Sequence, residues 1–224
     1  MEPHDITLIT ISREFGAGGS ALAAELGTRL GWSVLDRDLV HRVAERLRLD
    51  DGTVEHLDEH PPSLLARIAS VLIIPQPDLY SVIPPTDFPS PDSIAEATRA
   101  VIEEMAAAPP LIIVGHGAQC ILADRPDVLH VRVIAPVRVR LSRVMQRLRV
   151  DSAYATTLLR KADSDRHAYV QRYFHRDLRD DLLYDLRINT GRVSIDESAA
   201  VVAGVVTSRG TTTEWIPQAS SRVP

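Results

Sequence analysis

The sequence predicts an α/β fold in three layers, a parallel sheet with helices on both faces. Three observations carry that expectation. Short apolar, β-branched runs at Ile6–Ile11, Leu111–Val114 and Val128–Ile134 read as buried strands. Segments with helical spacing alternate with them, which favours parallel pairing through crossover helices. A glycine-bearing loop, Gly16-Ala17-Gly18-Gly19-Ser20, lies between the first strand and the first helix, and sheets of this kind bind ligands at the carboxyl ends of their strands.

The elements follow in order. After the strand Ile6–Ile11, Ser12–Gly19 is a loop. Ser20–Leu30 places Leu22, Ala23, Leu26 and Leu30 on one helical face, and Gly31 stops it. Ser33–Leu35 is a second short strand leading to Asp36, and Arg37–Leu47 is an amphipathic helix. Between Pro61 and Pro91 fall eight of the fifteen prolines. No continuous helix or central strand survives that density, so 50–110 is expected to hold short helices, Ser63–Ile74 among them, with Ser93–Ala107 a clear helix. Val128–Ile134 is followed by Pro136 at the first turn of a helix reaching Leu148. Asp151 is placed to cap the next helix, which carries Arg160, Asp163 and Arg166. Leu186–Asn189 is the last strand. Ser194 and Glu197 have capping-box spacing before the last helix. One domain is expected over 1–207, with a polar, disordered tail over 208–224.

Composition narrows the function. The 224 residues are 45% hydrophobic and 25% charged, as in an ordinary globular protein. A net charge of −5 argues against a general nucleic-acid or anionic-membrane binder. No apolar run approaches the roughly 20 residues that span a bilayer, and the start lacks a signal-peptide pattern. The single Cys120 fits a reducing compartment, so a cytoplasmic location is expected. Lys161 is the only lysine among 25 basic residues, so a site that ordinarily uses lysine must use another group.

The glycine loop is an anion site in outline, because its amides and the following helix N-terminus both present partial positive charge. Three readings stay open at this level. In a phosphate-binding loop of the form G-x-x-x-x-G-K-[ST], Gly18 and Ser20 match, but Arg13 and Gly19 stand where the first glycine and the lysine belong. In a dinucleotide fingerprint, Gly16, Gly18, Ala21 and the acidic Asp36 match, but Ser12–Phe15 separate strand from glycine. The third reading is a loop that merely needs flexible residues. His56 and His60 have a zinc-compatible spacing, but Pro61-Pro62 follow and no third ligand is evident.

Five segments in order resemble the cytidylate kinase-like family of P-loop nucleoside monophosphate kinases: ITISREFGAGG within 6–19, LDRDLVHR at 35–42, IIVGHGA at 112–118, ADSDRHAYV at 162–170 and LLYDLRINTGRVSIDE at 182–197. The resemblance covers about residues 6–207. It implies a P-loop kinase-like fold, with an acceptor-binding insert at about 50–110 and an arginine-rich lid at about 150–180. It implies Mg²⁺–ATP-dependent phosphoryl transfer to a nucleoside monophosphate resembling CMP or dCMP, or to another small acceptor. By that match Gly16, Ala17, Gly18, Gly19 and Ser20 cradle the donor phosphates, and Ser20 and Asp36 serve Mg²⁺. Asp36, Arg42 and His116 meet the acceptor, while Arg13, Arg160 and Arg166 neutralise the charge in flight. Two positions depart from the family pattern: Gly19 replaces the loop lysine, and His116 stands where an arginine is usual. The alternatives are a nucleotide-binding protein without kinase activity and, further off, a dinucleotide-dependent oxidoreductase.

Overall fold

The structure, a computed structural model, describes residues 5–49 and 89–210. The run after Asp5 forms β1 (Leu8–Arg13), with Leu8, Ile9 and Ile11 fully buried. The strand thus starts two residues later and ends two later than the apolar run suggests. Pairing of Ser12 and Arg13 with Arg132 and Val133 on the neighbouring strand extends it. Arg13 is therefore a strand-end residue, held by the ladder, rather than a loop residue.

Helix α1 (Gly19–Leu30) buries Leu22, Ala23 and Leu26, and Gly31 ends it in the left-handed conformation. Next come β2 (Ser33–Leu35), α2 (Asp38–Arg46) and α3 (Pro91–Ala106). Ser90 caps α3 by accepting from the Ser93 amide at 3.1 Å, with Pro91 in the first turn. Strand β3 (Leu111–Val114) runs through Gly115-His116-Gly117 into the short helix α4 (Ala118–Ile121). Strand β4 (Val128–Ile134) leads to α5 (Val137–Leu148), with Pro136 at the N-cap position and no side-chain cap. Helix α6 (Ser152–Phe174) is capped by Asp151, whose carboxylate accepts from the Tyr154 amide at 2.8 Å. Strand β5 (Leu186–Asn189) precedes α7 (Ile195–Gly210). The expected capping box is formed: the Ser194 amide donates to Glu197 at 2.8 Å and the Glu197 amide to Ser194 Oγ at 3.2 Å. Helix α7 runs past Ser208, where the tail was expected to begin; residues 211–224, the Ser63–Ile74 helix, most of the insert, His56 and His60 lie outside the described residues.

All pairings are parallel, in the order β2-β3-β1-β4-β5. Side chains alternate across the sheet, so β1 splits the core in two. Leu8 joins Leu39, Ile94, Ile102 and Ile113 on the α2–α3 face. Ile9 and Ile11 join Leu22, Leu26, Leu129 and Val202 on the α1–α7 face. Truncating one of these buried leucines to alanine costs about 2–5 kcal/mol. A smaller cluster of Ala95, Tyr169, Val170 and Leu178 seats the far half of α6 against the α3 side. Helix α6 reaches the carboxyl ends of β1 and β3, through Arg166 at the Arg13 carbonyl and Phe174 at Gly117.

Candidate active site

The glycine loop turns where the sheet edge meets α1. Gly16 and Gly18 take φ of 77° and 91°, a conformation that glycine adopts without strain. A Cβ at Gly16 would stand 3.0 Å from the Arg140 carbonyl, so α5 packs directly on the loop. The loop is fastened from that side. Arg140, buried, donates to the carbonyls of Ala135 (3.0 Å) and Phe15 (3.2 Å) and to Asp163 (2.5 Å). Asp163 also accepts from the Phe15 amide at 2.8 Å. Thr190 Oγ1 donates to the Ala17 carbonyl at 2.6 Å, and Arg143 donates to Thr190. The carbonyls of Phe15 and Ala17 are thus occupied on the α5–β5 side. The first amides of α1 have no intrahelical acceptor and carry the positive end of the helix dipole. Ser20 is exposed in that first turn.

Arg13 packs against two of the glycines around it, Gly19 and Gly115. Its stem leaves β1 on the α1 side. A Cβ at Gly19 would lie 2.8 Å from Arg13 Cβ and 2.9 Å from its Cγ. A lysine at 19 and this Arg13 exclude one another. The guanidinium then crosses the sheet edge and lies on Gly115, where an added Cβ would fall 2.7 Å from Arg13 Cζ. It ends 3.9 Å from Asp36, which follows β2. Burial works against its charge, Asp36 supports it and nearby Arg132 opposes it; an arginine stays cationic under such pressure.

Arg166, on α6, donates to the Arg13 carbonyl at 3.4 Å and stacks over Phe15, 5.5 Å from the ring centroid. Burial and then repulsion from Arg13 lower its pKa. His116 is buried between Gly115 and Gly117, with φ 56° and no partner for Nδ1 among the described residues. Burial, then Arg13 and Arg166, push its pKa down to about 3, so it is a neutral imidazole at physiological pH. Phe174, at the end of α6, presses on Gly117, where an added Cβ would fall 2.8 Å from its Cζ.

Two cavities open along this edge. One of about 30 Å³ is lined by Ser12, Arg13, His116, Arg166 and Tyr169. The other, about 270 Å³, is lined by Arg13, Glu14, Arg132, Asp163 and Arg166. Of the residues singled out in the sequence, the structure brings together Arg13, Asp36, His116 and Arg166, with Gly16–Gly19 beside them. Arg42 on α2 and Arg160 on α6 are exposed and line neither cavity. Sequence reasoning missed Arg132, Arg140 and Arg143. Arg132 sits inside an apolar strand run, where a lone charged residue at an inward position was the available signal. Arg140 and Arg143 were hidden in the basic run of α5. Cys120 is half-buried and its thiol is pushed up to about 11 by burial, so it is not an activated nucleophile.

The sequence profile of the cytidylate kinase-like family matches residues 8–192. The chain belongs to that family. A curated cytidylate kinase from Desulfurococcus amylolyticus is 30% identical over 113 residues, which span 50% of this chain and 60% of that relative. An uncharacterised protein from Eubacterium ventriosum superposes with a TM-score of 0.64 at 22% identity, covering 90% of this chain and 99% of its own. Shikimate kinase from Acinetobacter baumannii, in complex with shikimate, superposes at 0.51 with 15% identity over 92% of this chain and 96% of its own. The shikimate kinase from Bacteroides thetaiotaomicron gives 0.51 at 14% identity over 90% and 98%. These likenesses establish the P-loop kinase fold. The strand order also separates the protein from the dinucleotide fold, in which β1 lies beside β2; here β3 lies between them.

Proposed function

We propose that this protein transfers a phosphoryl group from Mg²⁺–ATP to a small acceptor of the nucleoside monophosphate class, CMP or dCMP by its family. The observation that carries the reading is the course of Arg13. Its stem passes the glycine loop at Gly19, its guanidinium crosses the sheet edge to end near Asp36, and its own carbonyl accepts from Arg166. A guanidinium there can bridge donor and acceptor phosphates, as the loop lysine does elsewhere.

The roles follow from position. The amides of Gly16–Gly19 and the start of α1 hold the donor phosphates. The Ser20 hydroxyl and the Asp36 carboxylate are hard oxygen donors, suited to Mg²⁺ completed by water and phosphate oxygens. Bound Mg²⁺ supplies neutralisation of phosphate charge. Arg13 and Arg166 hold the charge that spreads over the transferring oxygens, in a site that α6 shields from water. His116, neutral, donates or accepts one hydrogen bond. No covalent intermediate with the protein is required. Arg42 and Arg160 reach such a site only if α2 and α6 move. A cytoplasmic setting is in keeping with the free Cys120, and no described helix is long and apolar enough to cross a membrane.

A second reading, nucleotide binding without transfer, is favoured by the neutral His116. Incubation with Mg²⁺ and γ-labelled ATP against a panel of nucleoside monophosphates and small alcohols separates the two. Label transfer to one acceptor supports the kinase; ATP binding without transfer to any favours the second reading.

A further inference from the structure

Helix α6 is joined to the glycine loop through a half-buried carboxylate, and both of its oxygens are engaged. Asp163 Oδ1 accepts from the Phe15 amide at 2.8 Å and lies 4.0 Å from Arg166 Nη1, three residues along the same helix. Oδ2 accepts from Arg140 Nη1 at 2.5 Å. Arg140 is buried and reaches on to the Phe15 carbonyl at 3.2 Å. The peptide groups on both sides of Phe15 are therefore held from α5 and α6 at once, immediately before Gly16. The Phe15 ring is a second anchor. It packs with Val144 of α5 and with Ala155 and Leu159 of α6, and the guanidinium of Arg166 lies 5.5 Å from its centroid.

Arg166 needs such a hold. Its bond to the Arg13 carbonyl is 3.4 Å long, near the outer limit for a hydrogen bond. Arg13 and Arg132 repel it, whereas Asp163 and Asp36 support its charge. Among the described residues Asp163 is the one carboxylate within 4.0 Å of it. Without that partner, like-charged neighbours push the guanidinium away, and a long arginine side chain has the rotamer freedom to follow. Charge alone disfavours an acidic group at this place. Asp163 lines the larger cavity beside Arg13 and Arg166, where a negative charge weakens the pull on phosphate. What the carboxylate supplies instead is a fixed relation between loop and guanidinium.

We propose that Asp163 is a positioning residue, which ties Arg166 to the glycine loop and so sets its guanidinium in place before substrate arrives. The inference rests on the phosphoryl-transfer reading above. It makes α6 a braced arm rather than a lid that must swing shut. The brace at Asp163 has a counterpart at the far end of the helix, where Arg172 and Tyr173 donate to Asp92 of α3 at 2.9 Å and 3.1 Å. A cation already in place needs no reordering as charge develops on the transferring group. Its effect therefore falls on kcat more than on nucleotide affinity. Asp163 touches no reacting atom and acts only through Arg166.

The test uses the full chain with Asp163→Asn, alone and combined with Arg166→Ala. In label transfer from Mg²⁺–γ-labelled ATP to CMP, Asp163→Asn is expected to lower kcat by about tenfold or more, with KM for Mg²⁺–ATP within about threefold of the parent. In the Arg166→Ala background the same substitution should cost less than about threefold, because the residue it places is gone. A merely structural role lowers both backgrounds alike, so equal losses overturn the inference, as does a parent-like kcat in folded Asp163→Asn. A second readout needs no turnover: the ¹⁵N–¹H signal of the Arg166 Nε–H group. It is expected to exchange slowly with solvent in the parent and about tenfold faster or more in Asp163→Asn. A parent signal already in fast exchange overturns the inference without any variant, as does slow exchange that survives in Asp163→Asn. If the parent transfers label to no acceptor, the phosphoryl-transfer reading fails by itself. The Arg166 signal then decides alone whether Asp163 holds that arginine.

Discussion

Restoring the missing lysine should damage the protein. In Gly19→Lys the new Cβ falls 2.8 Å from Arg13 Cβ and 2.9 Å from Cγ. These atoms are the root of the side chain. Rotation about χ1 moves Cγ but leaves Cβ, so relief requires the end of β1 or the start of α1 to shift. Overpacking of this kind costs about 1–3 kcal/mol, while replacing a helical glycine returns about 0.5–1 kcal/mol. The net expectation is a loss of up to about 2.5 kcal/mol. At roughly 2–4 °C per kcal/mol for a chain of this size, Tm falls by up to about 10 °C. Arg13→Ala/Gly19→Lys keeps the Cβ contact and removes the one at Cγ. Arg13→Gly/Gly19→Lys removes both, and its double-mutant cycle should show a favourable coupling of about 1 kcal/mol or more. Denaturation followed by circular dichroism reads all of these. A single Gly19→Lys variant as stable as the parent, with normal turnover, would refute the claim that Arg13 and a lysine at 19 exclude each other.

Other expectations follow from the same geometry. Arg166→Ala should lower kcat by about 10²–10³ in a protein that still unfolds cooperatively, since the lost contacts to Asp163 and Phe15 are offset in part by relief of the repulsion from Arg13; unchanged turnover removes Arg166 from the mechanism. Thr190→Val breaks the 2.6 Å bond to the Ala17 carbonyl and one acceptor of Arg143; a stability loss of about 1–3 kcal/mol is expected from denaturant titration. His116 titrates near 6.5 when unfolded and near 3 when folded. Below 6.5 the unfolded chain therefore binds the extra proton, and stability falls with slope up to about 1.4 kcal/mol per pH unit as pH drops towards 3. Denaturation in His116→Gln should lose that component, while both proteins behave alike above pH 7.

The fold was legible where the pattern is local. Gly31 stops α1, Asp151 caps α6, and Ser194 and Glu197 close their box, because each depends on residues a few positions apart. The parallel sheet followed from alternation of apolar runs and helices. The site was legible only in part, since its geometry is made by distant segments. Arg13 was placed in a loop because Ser12 and Arg13 are polar; pairing with Arg132 and Val133 carries the strand through them. Arg132 read as one more strand residue, because its Ser12 and Tyr184 neighbours are 120 and 52 positions away. The basic run of α5 and α6 divides in three dimensions. Arg140 and Arg143 fasten the glycine loop from behind, Arg166 faces the sheet edge, and Arg160 faces solvent.

The central claim is that Arg13 does the work of the absent loop lysine. Its most direct test is label transfer from Mg²⁺–γ-labelled ATP to CMP by the parent and by Arg13→Gln, with ATP binding and the unfolding midpoint measured on the same samples. The account predicts transfer by the parent and a fall of about 10² or more in kcat for Arg13→Gln, with the variant still folded. Full turnover in a folded Arg13→Gln protein would contradict it.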